Sequence, residues 1–225
     1  MILIPRGLAR AFRAVARKCV VGRPRGPAPP VTIHSDGVRL TLATTLEEVV
    51  VSVEVAAVEP SARTLVVPMD VFDAVEGAAV ELAASGSKGT ARWDGREGRR
   101  ELPFEALRKD PRYELPTRPD DLHPVPPEFL TALHECGRTA LRETARFALH
   151  RVQVNGKAGS VIGTGGKHAL IWNGFPLAGT DAVLLPAIPV FGGKEVSAAT
   201  DVRVGVVDDR FVVQAGAWTV FLTVD

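Results

Sequence analysis

Helix, strands, a proline-marked element and further strands occur twice along this 225-residue sequence, about 120 residues apart. In the first copy, Leu8, Phe12, Val15 and Cys19 recur at i, i+4, i+7 and i+11, which predicts an amphipathic helix over Leu8–Val20. Strands are predicted at Val31–His34 and Val38–Ala43 around Ser35-Asp36-Gly37, and then at Val49–Ala57 and Thr64–Pro68. A helix is expected over Met69–Val75, followed by strands at Val80–Ala84, Gly89–Trp93 and Arg99–Pro103. The second copy opens with a helix over Glu128–Arg142, whose apolar stripe is Phe129, Leu133, Cys136 and Ala140. Strands follow at Phe147–Val154, Ser160–Gly163 and His168–Trp172. Leu184-Leu185-Pro186 then echoes Val66-Val67-Pro68, and Asp201–Val207, Arg210–Ala215 and Thr219–Val224 close the copy as alternating strands.

Seven prolines fall in the 25 residues from Pro103 to Pro127. Proline removes backbone donors and disfavours helix before it, so an extended linker is expected at about 103–127. The repeat then predicts two similar α+β domains, 1–115 and 116–225, each with helices packed on antiparallel sheet.

Charge is distributed unevenly. The net formal charge is +1, yet Arg6, Arg10, Arg13, Arg17, Lys18, Arg23 and Arg25 stand in the first 25 residues without a single acid. The remainder carries a net −6. Arg6, Arg10, Arg13 and Arg17 keep the helical rhythm opposite the apolar stripe, so one face of the first helix is almost wholly guanidinium. A basic face of this kind points to a polyanionic partner. Any surface helix has a polar face, however, and Glu135 and Glu143 dilute the corresponding arginines Arg138 and Arg142.

Other chemistry is sparse. A composition of 46% hydrophobic and 24% charged residues is that of an ordinary globular chain, and no window reaches the roughly 18 apolar residues of a membrane span. Arginine recurs through the N-terminal segment where a secretory leader would be apolar. Two cysteines make no disulfide framework, and the expectation is a cytoplasmic protein with reduced, buried thiols. Gly163-Thr164-Gly165-Gly166-Lys167-His168 has the look of a phosphate loop but lacks the spacing, so a hairpin turn is the plainer reading. A small enzyme working on a phosphorylated substrate through Lys167 is the rival it leaves. The five histidines are dispersed, adjacent acids such as Asp120-Asp121 sit in turns or the linker, and no serine has a G-x-S-x-G setting. No catalytic residue, metal or cofactor is expected.

Several segments resemble the bacterial DNA polymerase III beta subunit, the β sliding clamp family. Leu42-Ala43-Thr44-Thr45-Leu46-Glu47 is similar to the turn that precedes a long strand in the first domain of that family. Gly22-Arg23-Pro24 resembles its G-R-P after the first helix. Arg146-Phe147-Ala148-Leu149, leading to Asn155-Gly156, resembles R-Y-Y-L-N-G of the second domain, and Thr164–Ala169 sits where the family has T-D-G-H-R-L. The likeness runs in order along nearly the whole chain and covers the first two of the family's three domains.

The resemblance implies the sliding-clamp fold and a non-enzymatic processivity factor that encircles duplex DNA without sequence preference. Arg6, Arg10, Arg13, Arg17, Lys18, Arg23, Arg25, Arg138, Arg142 and Arg146 would then face DNA. Leu149, Thr164, Gly166, Lys167, His168 and Ala169 would form part of a cleft for partner peptides. Leu149, Thr164 and Gly166 keep the family pattern there, whereas Lys167, His168 and Ala169 replace His-Arg-Leu and put alanine where a large apolar wall stands. Implied partners are double-stranded DNA, a DNA polymerase, a clamp loader and further copies of the chain, three of which would supply the six domains of a ring. The alternative is a clamp-fold interaction or regulatory protein that forms no ring.

Overall fold

The computed structural model describes residues 1–20, 27–73, 75–107, 114, 117, 120–141, 148–177 and 181–224. The chain packs as two compact units. One comprises Met1–Ala16, Arg25–Thr45 and Ser52–Pro116, and the other comprises Arg17–Pro24, Leu46–Val51 and Thr117–Asp225.

The first repeat runs β1 (Ile2–Pro5), α1 (Arg6–Lys18), β2 (Val31–Asp36), β3 (Arg39–Thr45), β4 (Val49–Ala56) and β5 (Ala62–Val67). A 3-10 turn at Met69–Phe72 follows, then β6 (Ala79–Ser85), β7 (Lys88–Gly95) and β8 (Gly98–Glu105). The second runs β9 (His123–Val125), α2 (Glu128–Thr139), β10 (Arg151–Asn155), β11 (Ser160–Thr164), β12 (Ala169–Asn173) and β13 (Val183–Pro186). A 3-10 turn at Pro189–Gly192 and the short α3 (Lys194–Ser197) lead to β14 (Val202–Val207), β15 (Arg210–Ala215) and β16 (Trp218–Thr223).

Strand order repeats as well as element order. The quartet β1-β6-β7-β8 of the first repeat has its counterpart in β9-β14-β15-β16, and β5-β2-β3-β4 has its counterpart in β13-β10-β11-β12. Every strand pairing within these quartets for which a register is defined is antiparallel, for example Thr32 opposite Ala43 and Val152 opposite Gly163. The fold is α+β, with few helices on antiparallel sheet.

Local chemistry explains the elements. Gly37 takes φ +91°, and the Asp36 carboxylate accepts the N–H groups of Val38 at 2.8 Å and Arg39 at 2.6 Å, which closes the β2–β3 hairpin. Phe12, Val15 and Cys19 are buried as the helical stripe requires, but Leu8 is only half-buried, and Ala9 and Ala16 complete the apolar face. In the second unit, α2 packs on β10, β11 and β12 and on the Pro189–Gly192 turn. Phe129 there is fully buried and meets Phe175 edge-on, with ring centroids 5.1 Å apart.

Several expectations need correction. The Met69–Val75 helix is only a single 3-10 turn over Met69–Phe72, with Met69, Val71 and Phe72 buried and Asp70 and Asp73 exposed. The second helix stops at Thr139, and Arg142 and Phe147 lie outside the described residues. The strand expected from Phe147 starts at Arg151. Strands also enter both ends of the proline-rich stretch: β8 reaches Glu105, and β9 pairs Val125 with Val202. Each is the edge of its quartet, where a proline costs no ladder bond. No helix among the described residues is long and apolar enough to cross a membrane.

Candidate nucleic-acid interface

Helix α1 begins directly after β1, and the Arg6 N–H donates to the Ala78 carbonyl at 2.9 Å, which anchors its first turn. From that anchor the four arginines descend one face at spacings of four, three and four residues. They are not equivalent. Arg10 and Arg17 are exposed. Arg6 is half-buried, and its Nε is enclosed without a hydrogen-bond partner. Arg13 forms an ion pair with Asp73, which stands at the end of the Met69–Phe72 turn.

Lys18 and Glu195 both belong to the second unit, and Lys18 Nζ lies 3.5 Å from the Glu195 carboxylate. The helix itself contains no acid. Its neutralising groups therefore come from distant positions that periodicity could not reveal. Among the described residues, Arg10 and Arg17 have no ion-pair partner.

The second helix does not reproduce this face. Phe12 and Phe129, like Cys19 and Cys136, are separated by 117 residues and are all buried. At that spacing Arg10, Arg13 and Arg17 correspond to Pro127, Leu130 and His134. Leu130 is 1% exposed, so the position of Arg13 has become core. Arg138 is well exposed and reaches Glu135 at 3.3 Å, one turn back on its own helix. Arg23, Arg25, Arg142 and Arg146 lie outside the described residues.

The residues matched to a peptide cleft gather around the β11–β12 hairpin of the second unit. Thr164 Oγ1 donates to the His168 carbonyl at 2.9 Å and accepts the Gly166 N–H at 3.1 Å, while the Gly165 N–H donates to the same carbonyl at 3.2 Å. These bonds turn the loop's polar groups inward. Strand β12, and no helix, follows it. The Gly-rich segment is therefore a hairpin turn, and the phosphate-loop rival has no structural basis. Gly166 takes φ +84°, and a Cβ there would lie 3.5 Å from Leu149. Lys167, His168 and Ala169 are exposed, while Leu149 and Thr164 are half-buried.

Sequence reasoning missed Leu141. Its N–H donates to the Leu149 carbonyl at 2.8 Å, and its side chain is 37% exposed beside Gly165. Only a link across the segment 142–147 brings it there, and local periodicity carries no sign of that link. Among the described residues, no group of His, Cys, Asp and Glu has metal-binding geometry.

No family model and no curated protein sequence matches the chain. Solved structures do. A DNA polymerase sliding clamp from Pseudomonas aeruginosa aligns over 100% of this chain with a TM-score of 0.71 at 17% identity. The DNA polymerase III subunit beta from Borrelia burgdorferi aligns over 99% with a TM-score of 0.75 at 12% identity. The Helicobacter pylori beta clamp, solved with a DNA ligase peptide, aligns over 99% with a TM-score of 0.70 at 11% identity. The chain spans 64% of the first two proteins and 66% of the third. At such identities the likeness establishes the fold, which is that of the sliding clamps.

Proposed function

We propose that this chain is a non-enzymatic, sliding-clamp-like processivity factor, cytoplasmic and built from clamp-like domains at 1–115 and 116–225. It would hold duplex DNA without reading sequence and tether replication or repair proteins to it. A sliding protein must attract phosphates without fixing a register, which long cations on a helix accomplish through counterion release. The observation that carries this reading is the exposed pair Arg10 and Arg17 on a helix with no acid of its own. Arg6, Arg13 and Lys18 would add to that surface, as would Arg23, Arg25, Arg138, Arg142 and Arg146.

A partner peptide would dock at the β11–β12 turn, against Leu149 and Leu141. The ligase peptide in the H. pylori clamp structure supports looking for such a site. A DNA polymerase and a clamp loader are the corresponding partners.

A second reading is a clamp-fold interaction or regulatory protein that forms no ring. It is favoured by the neutralisation of Arg13 by Asp73 and of Lys18 by Glu195. Light scattering of the pure protein, with and without duplex DNA, separates the two. A trimer supports a six-domain ring, and a monomer that stays monomeric on DNA supports the second reading.

A further inference from the structure

We infer that the Asp73 carboxylate competes with nucleic-acid phosphate for Arg13, so that one cation in the middle of the α1 stripe is available only when Asp73 gives it up. The inference rests on the DNA-binding reading and adds to it an internal brake on affinity.

Three observations carry it. First, Arg13 lies between Arg10 and Arg17 on the basic face, yet among the described residues it is the one of the three with an ion-pair partner. Second, Asp73 is held in place by its backbone. Met69, Val71 and Phe72 bury the 3-10 turn that presents it, and its N–H donates to the Asp70 carbonyl at 2.9 Å. Third, this turn does not need an acid. The second repeat closes its counterpart with the Gly193 N–H donating to the Val190 carbonyl, also at 2.9 Å. The Asp73 side chain is thus surplus to the fold at that point, while its charge is directed at Arg13.

The ion pair can be exchanged. The Asp73 side chain is 43% exposed and that of Arg13 is 28% exposed. Solvent screening leaves such a pair weak. A backbone phosphodiester offers the guanidinium the same paired oxygens and the same single charge, and the neighbouring phosphates of the duplex add a polyanionic field with counterion release that a lone carboxylate lacks. Displacement leaves Asp73 close to the polyanion, so the acid opposes binding both by occupying Arg13 and by repelling phosphate.

The test is the affinity of a labelled duplex oligonucleotide for the full chain, measured by anisotropy across a salt series. Asp73→Asn should tighten binding severalfold at low salt and steepen the log K against log salt slope by about 0.9, one further phosphate contact. Asp73→Gly, which copies the glycine of the second repeat, should do the same, and it covers a folding defect specific to asparagine. In an Arg13→Gln background, Asp73→Asn should give no gain.

The inference is overturned if both Asp73 variants match the parent in affinity and slope, or if the gain survives in Arg13→Gln. If the parent binds through Arg10 and Arg17 and only the Asp73 effect is absent, this inference alone fails. If neither the parent nor the Asp73 variants bind duplex DNA, the DNA-binding reading fails with it.

Discussion

Gly163 on β11 faces the Cys136 carbonyl of α2 so closely that a Cβ would stand 2.1 Å from the carbonyl oxygen. The helix therefore rests on bare backbone, and the Cys136 thiol lies 3.5 Å from the Val161 carbonyl on the same strand. Gly163→Ala should push the helix off the sheet and cost about 1–3 kcal/mol or more, as overpacking does. Gly137, one residue beyond Cys136 on α2, has nothing nearer than 3.8 Å. Gly137→Ala should be neutral or stabilise by about 0.5–1 kcal/mol through helix propensity. Thermal melts of the two variants check the contrast, and similar behaviour would contradict this packing.

The repeat that dictates such contacts was legible in the sequence because the buried stripes at Phe12 and Cys19 recur at Phe129 and Cys136. Turns carrying Gly37 and the alternating runs of β14–β16 were legible for the same local reason. Strand β1 was not. Ile2–Pro5 is too short to show alternation beside the helix it enters, and only its partner Leu82, opposite Ile2, defines it. Strand β9 was hidden by prolines that its edge position tolerates. The candidate site was half legible. The guanidinium stripe follows from spacing, whereas Asp73, Glu195 and Leu141 reach their partners through tertiary folding that no local window contains.

Both thiols should be inert in the native protein. Burial pushes Cys19 up to about 12. Burial likewise raises Cys136 to about 11, opposed by a hydrogen bond from the Gly163 backbone and reinforced by the Glu135 charge. A thiol raised in the folded state contributes no pH dependence below its ordinary value near 9.0, and stability declines as pH rises from there towards the folded values. A disulfide reagent at about pH 8, roughly one unit below that ordinary thiol value, should label neither cysteine until denaturant is added. Rapid labelling of the folded chain would contradict the burial.

The Asp36 carboxylate should titrate below the ordinary carboxylate range. The Arg39 N–H is the larger cause and the Val38 N–H the next. A carboxyl group lowered in the folded state supports the hairpin at pH above its ordinary value and loses that support as pH falls through the lowered one. Carbon-detected NMR titration of Asp36 reads this directly. An unshifted or raised midpoint would contradict the capped turn.

Phe129→Ala removes a fully buried ring that packs edge-on against Phe175. The loss should be about 3–5 kcal/mol, the usual cost of emptying a core aromatic site. Chemical denaturation checks it, and a loss below about 1 kcal/mol would mean that the site collapses around the cavity.

Duplex DNA binding by the parent and by the combined Arg10→Glu, Arg13→Glu and Arg17→Glu variant, each across a salt series, tests the proposed role of α1 most directly. The parent should bind without sequence preference and weaken steeply as salt rises, and the variant should lose most of that affinity. Equal binding by the two proteins would make the arginine face a solvated surface and contradict the account.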